Sequence, residues 1–251
     1  MTSICIIIPF YNESGRFRQN EFIDFASSDP GFSFCLVNDG SSDDTGQILE
    51  SLKNKFPERI LVCPHNENKG KAEAVRTGIS AALQHFDARY FGYFDADLST
   101  PLDESLRLQA SLAEKLGLQF AFGSRVAIVG KKIERKLYRH LMGRIIATFI
   151  SGILHIMVYD TQCGAKLFTR SIAEKVFREP FISRWLFDVE IMARIIEISG
   201  RDKIEETMVE VPVRSWIDRG GSKISWTYAF RVFYDLFRIH RHYPSIGQGE
   251  Q

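Results

Sequence analysis

Four apolar runs, each closing in a cluster of polar residues, constrain this chain more than any other feature. They read "SICIIIPF", "FSFCLVND", "RILVCPH" and "YFGYFDAD". Between them lie stretches with helical spacing, at residues 18–27, 43–55 and 71–86. In the last, Ala72, Val75, Ile79, Ala82, Leu83 and Phe86 recur on one face. Strands that alternate with helices predict βαβ units and a mainly parallel sheet, so an α/β fold. Near-continuous apolar strands predict a sheet covered on both faces. The polar clusters "PFYNE", "NDGSSDDT", "HNENKGK" and "DADLST" follow the four strands. Ligands of open α/β sheets sit beyond the carboxyl ends of the strands, so the clusters predict one shared site.

The second half is less regular. It predicts a helix after Pro101, a strand "QFAFGSRV" and a basic-to-apolar helical region at 131–158. A strand "CGAKLFTR", an amphipathic helix "WLFDVEIMARIIEIS", a strand "TMVEVPVRS" and a last helix at 226–240 follow. With no repeat and no low-complexity linker, residues 1–243 read as one domain and 244–251 as a polar, flexible tail. A chain of 251 residues with 45% apolar content has enough material for one such core. Its net charge of +1 argues against a nucleic-acid binder.

Cysteines stand at 5, 35, 63 and 163, with no zinc-ligand spacing. The first three fall in apolar runs and read as buried hydrophobes, which points to a reducing cytosol. "MTSICIIIPFYNE" has no charged leader region and no small-residue cleavage site, so no secretory signal is expected. The longest apolar stretch, residues 145–159, falls short of the roughly 18–20 residues of a spanning helix.

Three polar clusters carry chemistry. In "NDGSSDDT", Ser41 or Ser42 is expected to cap the next helix, and Asp39 at the strand end either accepts from a nucleobase N–H or closes the turn. In "NKGKAEAV", Gly70 between two lysines suits a diphosphate at a helix start; the ordinary alternative is a capped helix with solvated lysines. No GxGxxG and no GxxxxGKT occurs, so neither a dinucleotide site of the Rossmann type nor a nucleoside-triphosphatase loop is supported. In "DADLST", residues two apart on a strand share a side, so Asp95 and Asp97 are expected to project together while Ala96 turns away. Two adjacent carboxylates favour a hard cation, Mg2+ or Mn2+, that also binds substrate phosphates.

Further along, Arg125 follows a strand, and Asp160 and Gln162 precede one. Asp188 lies to the side of the apolar stripe of its helix, and Glu190 and Arg194 read as an exposed i,i+4 pair. Arg214, Arg219 and Lys223 lie in a basic, glycine-rich stretch that either closes over a phosphate or forms a surface loop. Lys131, Lys132, Arg135, Lys136, Arg139 and Arg144 precede the apolar stretch at 145–159. Such a region either lies in a membrane interface or forms a core helix beside a charged turn.

"IIIPFYNE", "LVNDGSSDDT", "NENKGKAEAVRTGI", "FDADLSTP", "FGSRV", "DTQCGAKLF" and "RWLFDVEI", in that order, resemble family 2 glycosyltransferases of the GT-A fold. The nearest likeness is to polyprenyl- and dolichyl-phosphate sugar synthases, above all the dolichyl-phosphate glucosyltransferase-like branch. The resemblance implies a Rossmann-like three-layer α/β/α sandwich with a mixed sheet. It implies inverting transfer of a hexose from a UDP- or GDP-sugar, first of all UDP-glucose, to a lipid phosphate. Pro9, Tyr11 and Glu13 would hold the nucleoside, Asp39 the base, and Lys71 the nucleotide. Asp95 would lie near ribose or metal, and Asp97 would be the principal metal ligand. Arg125 and Asp160 to Gln162 would shape the sugar and acceptor side, and Arg214, Arg219 and Lys223 would close over phosphates. If the acceptor is instead a hydroxyl, Asp188 and Asp160 are the candidate bases. Some relatives place a Gln just after the acidic triplet as a third metal ligand, where this chain has Leu98-Ser99. The expected setting is the cytoplasm, peripherally on the membrane face. Rival readings are a soluble transferase acting on a glycan hydroxyl, a sugar nucleotidyltransferase and a nucleotide-sugar-binding scaffold.

Overall fold

The computed structural model describes residues 3–126, 132–134, 137–219 and 226–246. The first half is the predicted alternation: β1 (Ile4–Phe10), α1 (Gln19–Ser28), β2 (Phe32–Asp39), α2 (Thr45–Lys55), β3 (Ile60–His65), α3 (Lys71–His85) and β4 (Tyr90–Phe94). The second half continues with α4 (Glu104–Glu114), β5 (Phe120–Ser124), β6 (Lys132–Glu134), α5 (Leu137–Leu154), β7 (Ala165–Thr169), α6 (Arg170–Val176) and α7 (Phe187–Ser199). Then come α8 (Ile204–Thr207), β8 (Met208–Pro212), β9 (Ser215–Ile217) and α9 (Trp226–His242). The sequence reading missed β6, α6, α8 and β9, all short, where periodicity has too few residues to register.

Seven strands form one sheet in the order β3-β2-β1-β4-β7-β5-β8. β1 pairs in parallel with β2 and β4, β2 with β3, and β5 with β8. β7 alone among these runs antiparallel, between β4 and β5. The sheet is therefore mixed, and the single reversal inserts residues 165–169 beside the strand that ends at the acidic triplet. β6 and β9 pair separately, as a short parallel ribbon.

Alternation along the strands feeds two apolar layers. Ile4, Ile6, Ile8 and Phe10 join the layer of α1, α2 and α4, while Cys5 and Ile7 join that of α3, α5, α6, α7 and α9. Both layers are buried, which is why the strands read as unbroken apolar runs. The predicted helix at 131–158 is shorter, because Lys132–Glu134 is a strand and α5 begins at Leu137. The predicted flexible tail begins in order: Pro244–Ile246 forms a 3-10 turn, Ile246 is buried, and its carbonyl accepts from Arg201. Residues 247–251 lie outside the described residues.

Candidate active site

A cavity of about 670 Å³ opens beyond the carboxyl ends of β1, β2 and β4. Parallel strands put those three ends on one side, and the loops that leave them supply Pro9, Tyr11, Glu13, Asp39, Asp95 and Asp97. Lys71 enters from the start of α3. The four polar clusters of the first half thus do meet at one place.

The loop after β1 is held by the loop after β2. Asn12 adopts φ +53°, takes Ser42 N–H on its Oδ1 at 2.8 Å and donates its own N–H to Ser41 Oγ at 3.1 Å. Glu13 N–H donates to Thr45 Oγ1 at 3.0 Å. Ser41 and Ser42 therefore brace the neighbouring loop. They do not cap α2, which starts at Thr45 with Asp44 before it and no side-chain cap. Glu13 keeps one buried carboxylate oxygen without a hydrogen-bond partner among the described residues. Burial raises its pKa against the pull of Arg16, and the charges of Asp97 and Asp95 add to the rise.

Asp39 is buried, lines the cavity and has both oxygens bonded within the protein. Its Oδ1 accepts from Lys69 N–H at 2.9 Å and lies 2.7 Å from His65 Nδ1; its Oδ2 accepts from Gly70 N–H at 2.9 Å. This corrects the phosphate reading of the Lys69–Gly70 stretch, since both amides point to Asp39. Gly70 has φ +91°, a conformation that L side chains rarely adopt.

The acidic pair is arranged differently from the strand alternation expected of it. β4 stops at Phe94, and Leu98 N–H closes a turn onto Asp95 C=O at 3.1 Å. Leu98 follows at φ +49°. The turn brings Asp95 and Asp97 onto the cavity wall, while Ala96, 6% exposed, packs into the apolar layer with Phe94, Leu98 and Leu102, as expected of it. Lys71 Nζ lies 2.5 Å from Asp95 Oδ1. Burial works against the charge of Asp95, but Lys71, with Lys166 and Arg125 behind it, outweighs burial and holds the carboxyl below its ordinary range. Asp97 is the opposite case: burial and the neighbouring Asp95 charge raise its pKa. Only Arg16, 3.9 Å away, pairs with it as a cation among the described residues, while Ser99 N–H donates to Oδ1 at 2.9 Å. A carboxylate short of positive charge beside a second one fits a hard divalent cation, with Asp97 the better-disposed ligand. Asp95 is pinned from below, since a Cβ on Gly164 would fall 1.9 Å from its Oδ2.

The remaining candidates divide. Asp188 lines the cavity, but it is neither at the helix surface nor free: Lys166 Nζ lies 2.7 Å from its Oδ1, and Tyr93 OH donates to the same oxygen. Gln162 also lines the cavity. Arg125 and Asp160 do not. They lock onto each other through Nε–Oδ2 at 2.6 Å and Nη2–Oδ1 at 2.8 Å, and Asp160 also takes the Arg125 and Gln162 amides. Asp160 is thus a bracket for the Arg125 strand end, which corrects its reading as a base. Arg214 is exposed, and Arg219 reaches Glu21 on α1 at 3.0 Å; neither lines the cavity. Lys223 lies outside the described residues, as do Lys131, Arg135, Lys136 and the side chains of Lys132 and Arg139. Glu190 and Arg194, read as an exposed pair, are buried and 2.8 Å apart. Glu190 takes the Ile182 and Ser183 amides and Arg194 the Val176, Glu179 and Pro180 carbonyls, which shapes the loop before α7.

That loop carries Arg184 and Trp185, two lining residues the sequence reading left out. Arg184 Nη2 donates to Lys69 C=O at 2.9 Å and so ties the α7 side to the α3 side. The missed Lys166 had a signal of its own: a lysine inside the buried run "CGAKLF" requires a partner.

A family model described as Glycosyl transferase family 2 matches residues 5–177. A dolichyl-phosphate beta-glucosyltransferase of Trichomonas vaginalis is 31% identical over 93% of this chain and 69% of the relative. One of Saccharomyces cerevisiae is 32% identical over 88% of this chain and 69% of its own. Among solved structures, glucosyl-3-phosphoglycerate synthase from Mycobacterium tuberculosis in complex with Mn2+, UDP-glucose and phosphoglyceric acid aligns with TM-score 0.68 at 16% identity. The alignment covers 96% of this chain and 80% of that one. The chain belongs to glycosyl transferase family 2 and has the GT-A fold.

Proposed function

We propose that this glycosyltransferase moves glucose from UDP-glucose to dolichyl or another polyprenyl phosphate, with inversion at the anomeric carbon. One observation carries the reading. The cavity rimmed by Asp95, Asp97 and Lys71 lies in a chain 31% identical, over 93% of its length, to a protein named for that reaction.

Pro9, Tyr11 and Glu13 line the side that receives the nucleoside, and the unpartnered Glu13 oxygen accepts from a ribose hydroxyl. Asp39 holds the loop behind that subsite through its bonds to Lys69 and Gly70, and so acts on the base at one remove. Asp97, with Asp95, would hold Mg2+ or Mn2+. When bound, the cation neutralises charge that grows on the departing diphosphate. Lys71 lines the cavity beside Asp95, 2.5 Å from its Oδ1, and adds a positive charge to the same end of the donor. The acceptor phosphate is anionic at neutral pH, so it attacks without a strong general base. A bond forms from its oxygen to the anomeric carbon, the bond from that carbon to the diphosphate breaks, and UDP leaves.

A lipid acceptor requires a membrane surface. α5 exposes Ile145 and Phe149, α9 exposes Phe233, Tyr234 and Phe237, and the rings of Phe149 and Phe233 touch at 5.0 Å. Arg238 and Arg241 flank the α9 aromatics. An apolar face with basic flanks suits peripheral binding to anionic lipid, here on the cytoplasmic face. No helix among the described residues is long and apolar enough to cross a membrane.

The test is transfer from radiolabelled UDP-glucose to organic-extractable dolichyl phosphate with Mn2+. Asp97→Ala is expected to lower the rate by about 10²–10³-fold with an unchanged melting midpoint, the range for losing one charge-stabilising group. A wild-type rate in that variant, or label passing only to glycan hydroxyls, overturns the reading.

A further inference from the structure

A buried ammonium lies beneath the cavity with no role in the reading so far. Lys166 is 1% exposed, in the middle of β7. Its Nζ donates to Cys163 C=O at 2.7 Å and pairs with Asp188 Oδ1 at 2.7 Å. In the antiparallel register Lys166 sits opposite Tyr93, so the two side chains share a face of the sheet. Tyr93 OH donates to the same Asp188 oxygen, and Lys166 Nζ lies 5.2 Å from the Tyr93 ring. Lys71, the cation on the cavity side, lies 5.9 Å from that ring and 5.8 Å from that of Phe187. Asp188 therefore stands between a fixed cation below and a half-exposed one above. Its Oδ1 takes two internal donors, and its Oδ2 accepts no hydrogen bond from any described residue.

The geometry points to Lys166 and Tyr93 as positioning residues that turn Asp188 into a fixed reader of the transferred hexose, with Oδ2 as the acceptor for sugar hydroxyls. Two internal donors on one oxygen fix the rotation of the carboxylate, and the second oxygen is left to the cavity that Asp188 lines. A hexose presents hydroxyl donors, and a carboxylate accepts from them with direction, so epimers that move one hydroxyl lose a charge-assisted bond. A phosphate acceptor leaves Asp188 free of base duty. Neither Lys166 nor Tyr93 touches the donor; both act through Asp188.

The inference rests on a UDP-sugar donor, so binding is measured apart from turnover. With Mn2+ present, titration calorimetry gives the affinities of the full chain for UDP, UDP-glucose and UDP-galactose. In the wild type the ratio of UDP-glucose to UDP-galactose affinity exceeds 1. Tyr93→Phe, a near-isosteric change, and Asp188→Asn are each expected to lower that ratio by about 10-fold, with UDP affinity within about twofold of wild type. Lys166→Met is expected to do the same wherever it folds; Tyr93→Phe keeps the test open where it does not. An unchanged epimer ratio in Tyr93→Phe and Asp188→Asn overturns the positioning role. A wild type that binds UDP equally well with or without glucose overturns the hexose subsite, and one that binds no uridine nucleotide overturns the donor reading beneath it.

Discussion

The two walls of the cavity are built by different means. The wall from β1, β2 and β4 is made where parallel strands end, and it is braced by short bonds between adjacent loops: Asn12 to Ser41 and Ser42, and Asp39 to Lys69 and Gly70. The wall from β7 and α7 is held by an ion pair that links distant parts of the chain, Lys166 with Asp188, while the Arg125–Asp160 pair, off the cavity, fixes the end of β5. The first wall leaves Asp97 and one Glu13 oxygen weakly partnered. The second holds Asp188 by one oxygen with a buried cation. A buried charge without a partner is costly, so the second wall is where side-chain loss should damage the fold, and the first is where it should damage chemistry.

The largest expected contrast lies between two lysines that pair with site aspartates. Lys166→Met strands Asp188 in the interior and should cost about 3–5 kcal/mol in urea unfolding. Lys71→Met removes a pair whose side chains are 39% and 37% exposed, and should cost about 0–1 kcal/mol while still lowering transfer. Equal losses from the two would break the division between walls.

Gly164→Ala tests the seam between them. The added Cβ would fall 1.9 Å from Asp95 Oδ2, so the carboxylate must move off Gly164 and out of its present geometry with Lys71. A cost of about 1–3 kcal/mol is expected, with a drop in Mn2+ affinity as the acidic pair loses its register. A variant with wild-type Mn2+ affinity would show that Asp95 is not tied to the floor.

The smallest effect is in pH. Asp97 has a raised pKa, so in acid the folded state holds its proton where the unfolded chain has released it. Its own contribution to stability therefore falls as pH rises from 3.8 through that raised value. Asp95 has a lowered pKa and works the other way: its contribution is present above 3.8 and is lost as pH falls through its folded value. Cation binding needs Asp97 ionised, so Mn2+ affinity should weaken by up to about 10-fold per pH unit once pH drops below the Asp97 pKa. Asp97→Ala should remove that dependence. A wild-type affinity that follows Asp95 alone, flat until well below 3.8, would exchange the roles of the two acids.

The sequence showed the first wall and little of the second. β1 to β4 and their polar ends were legible because period and punctuation are local: apolar runs set the strands, and Asp39, Asp95 and Asp97 stand where those runs stop. Even there, local reasoning failed on detail. Asp95 and Asp97 meet through a turn after the strand rather than through alternation, and Ser41 and Ser42 hold Asn12 rather than a helix end. The second wall depends on pairs such as Tyr93 with Asp188, which stand 95 residues apart. No window of sequence contains both partners.

By itself the chain determined its fold class, its sheet-end site and the acidic pair, because burial of alternating strands and helices leaves few arrangements. The family motifs added the mixed sheet. Only the tertiary structure decided which acids stay open and which are locked. That choice belongs to β7, whose reversed course carries Lys166 under Asp188 and brings Gly164 beneath Asp95, and long-range pairing sets which charges meet.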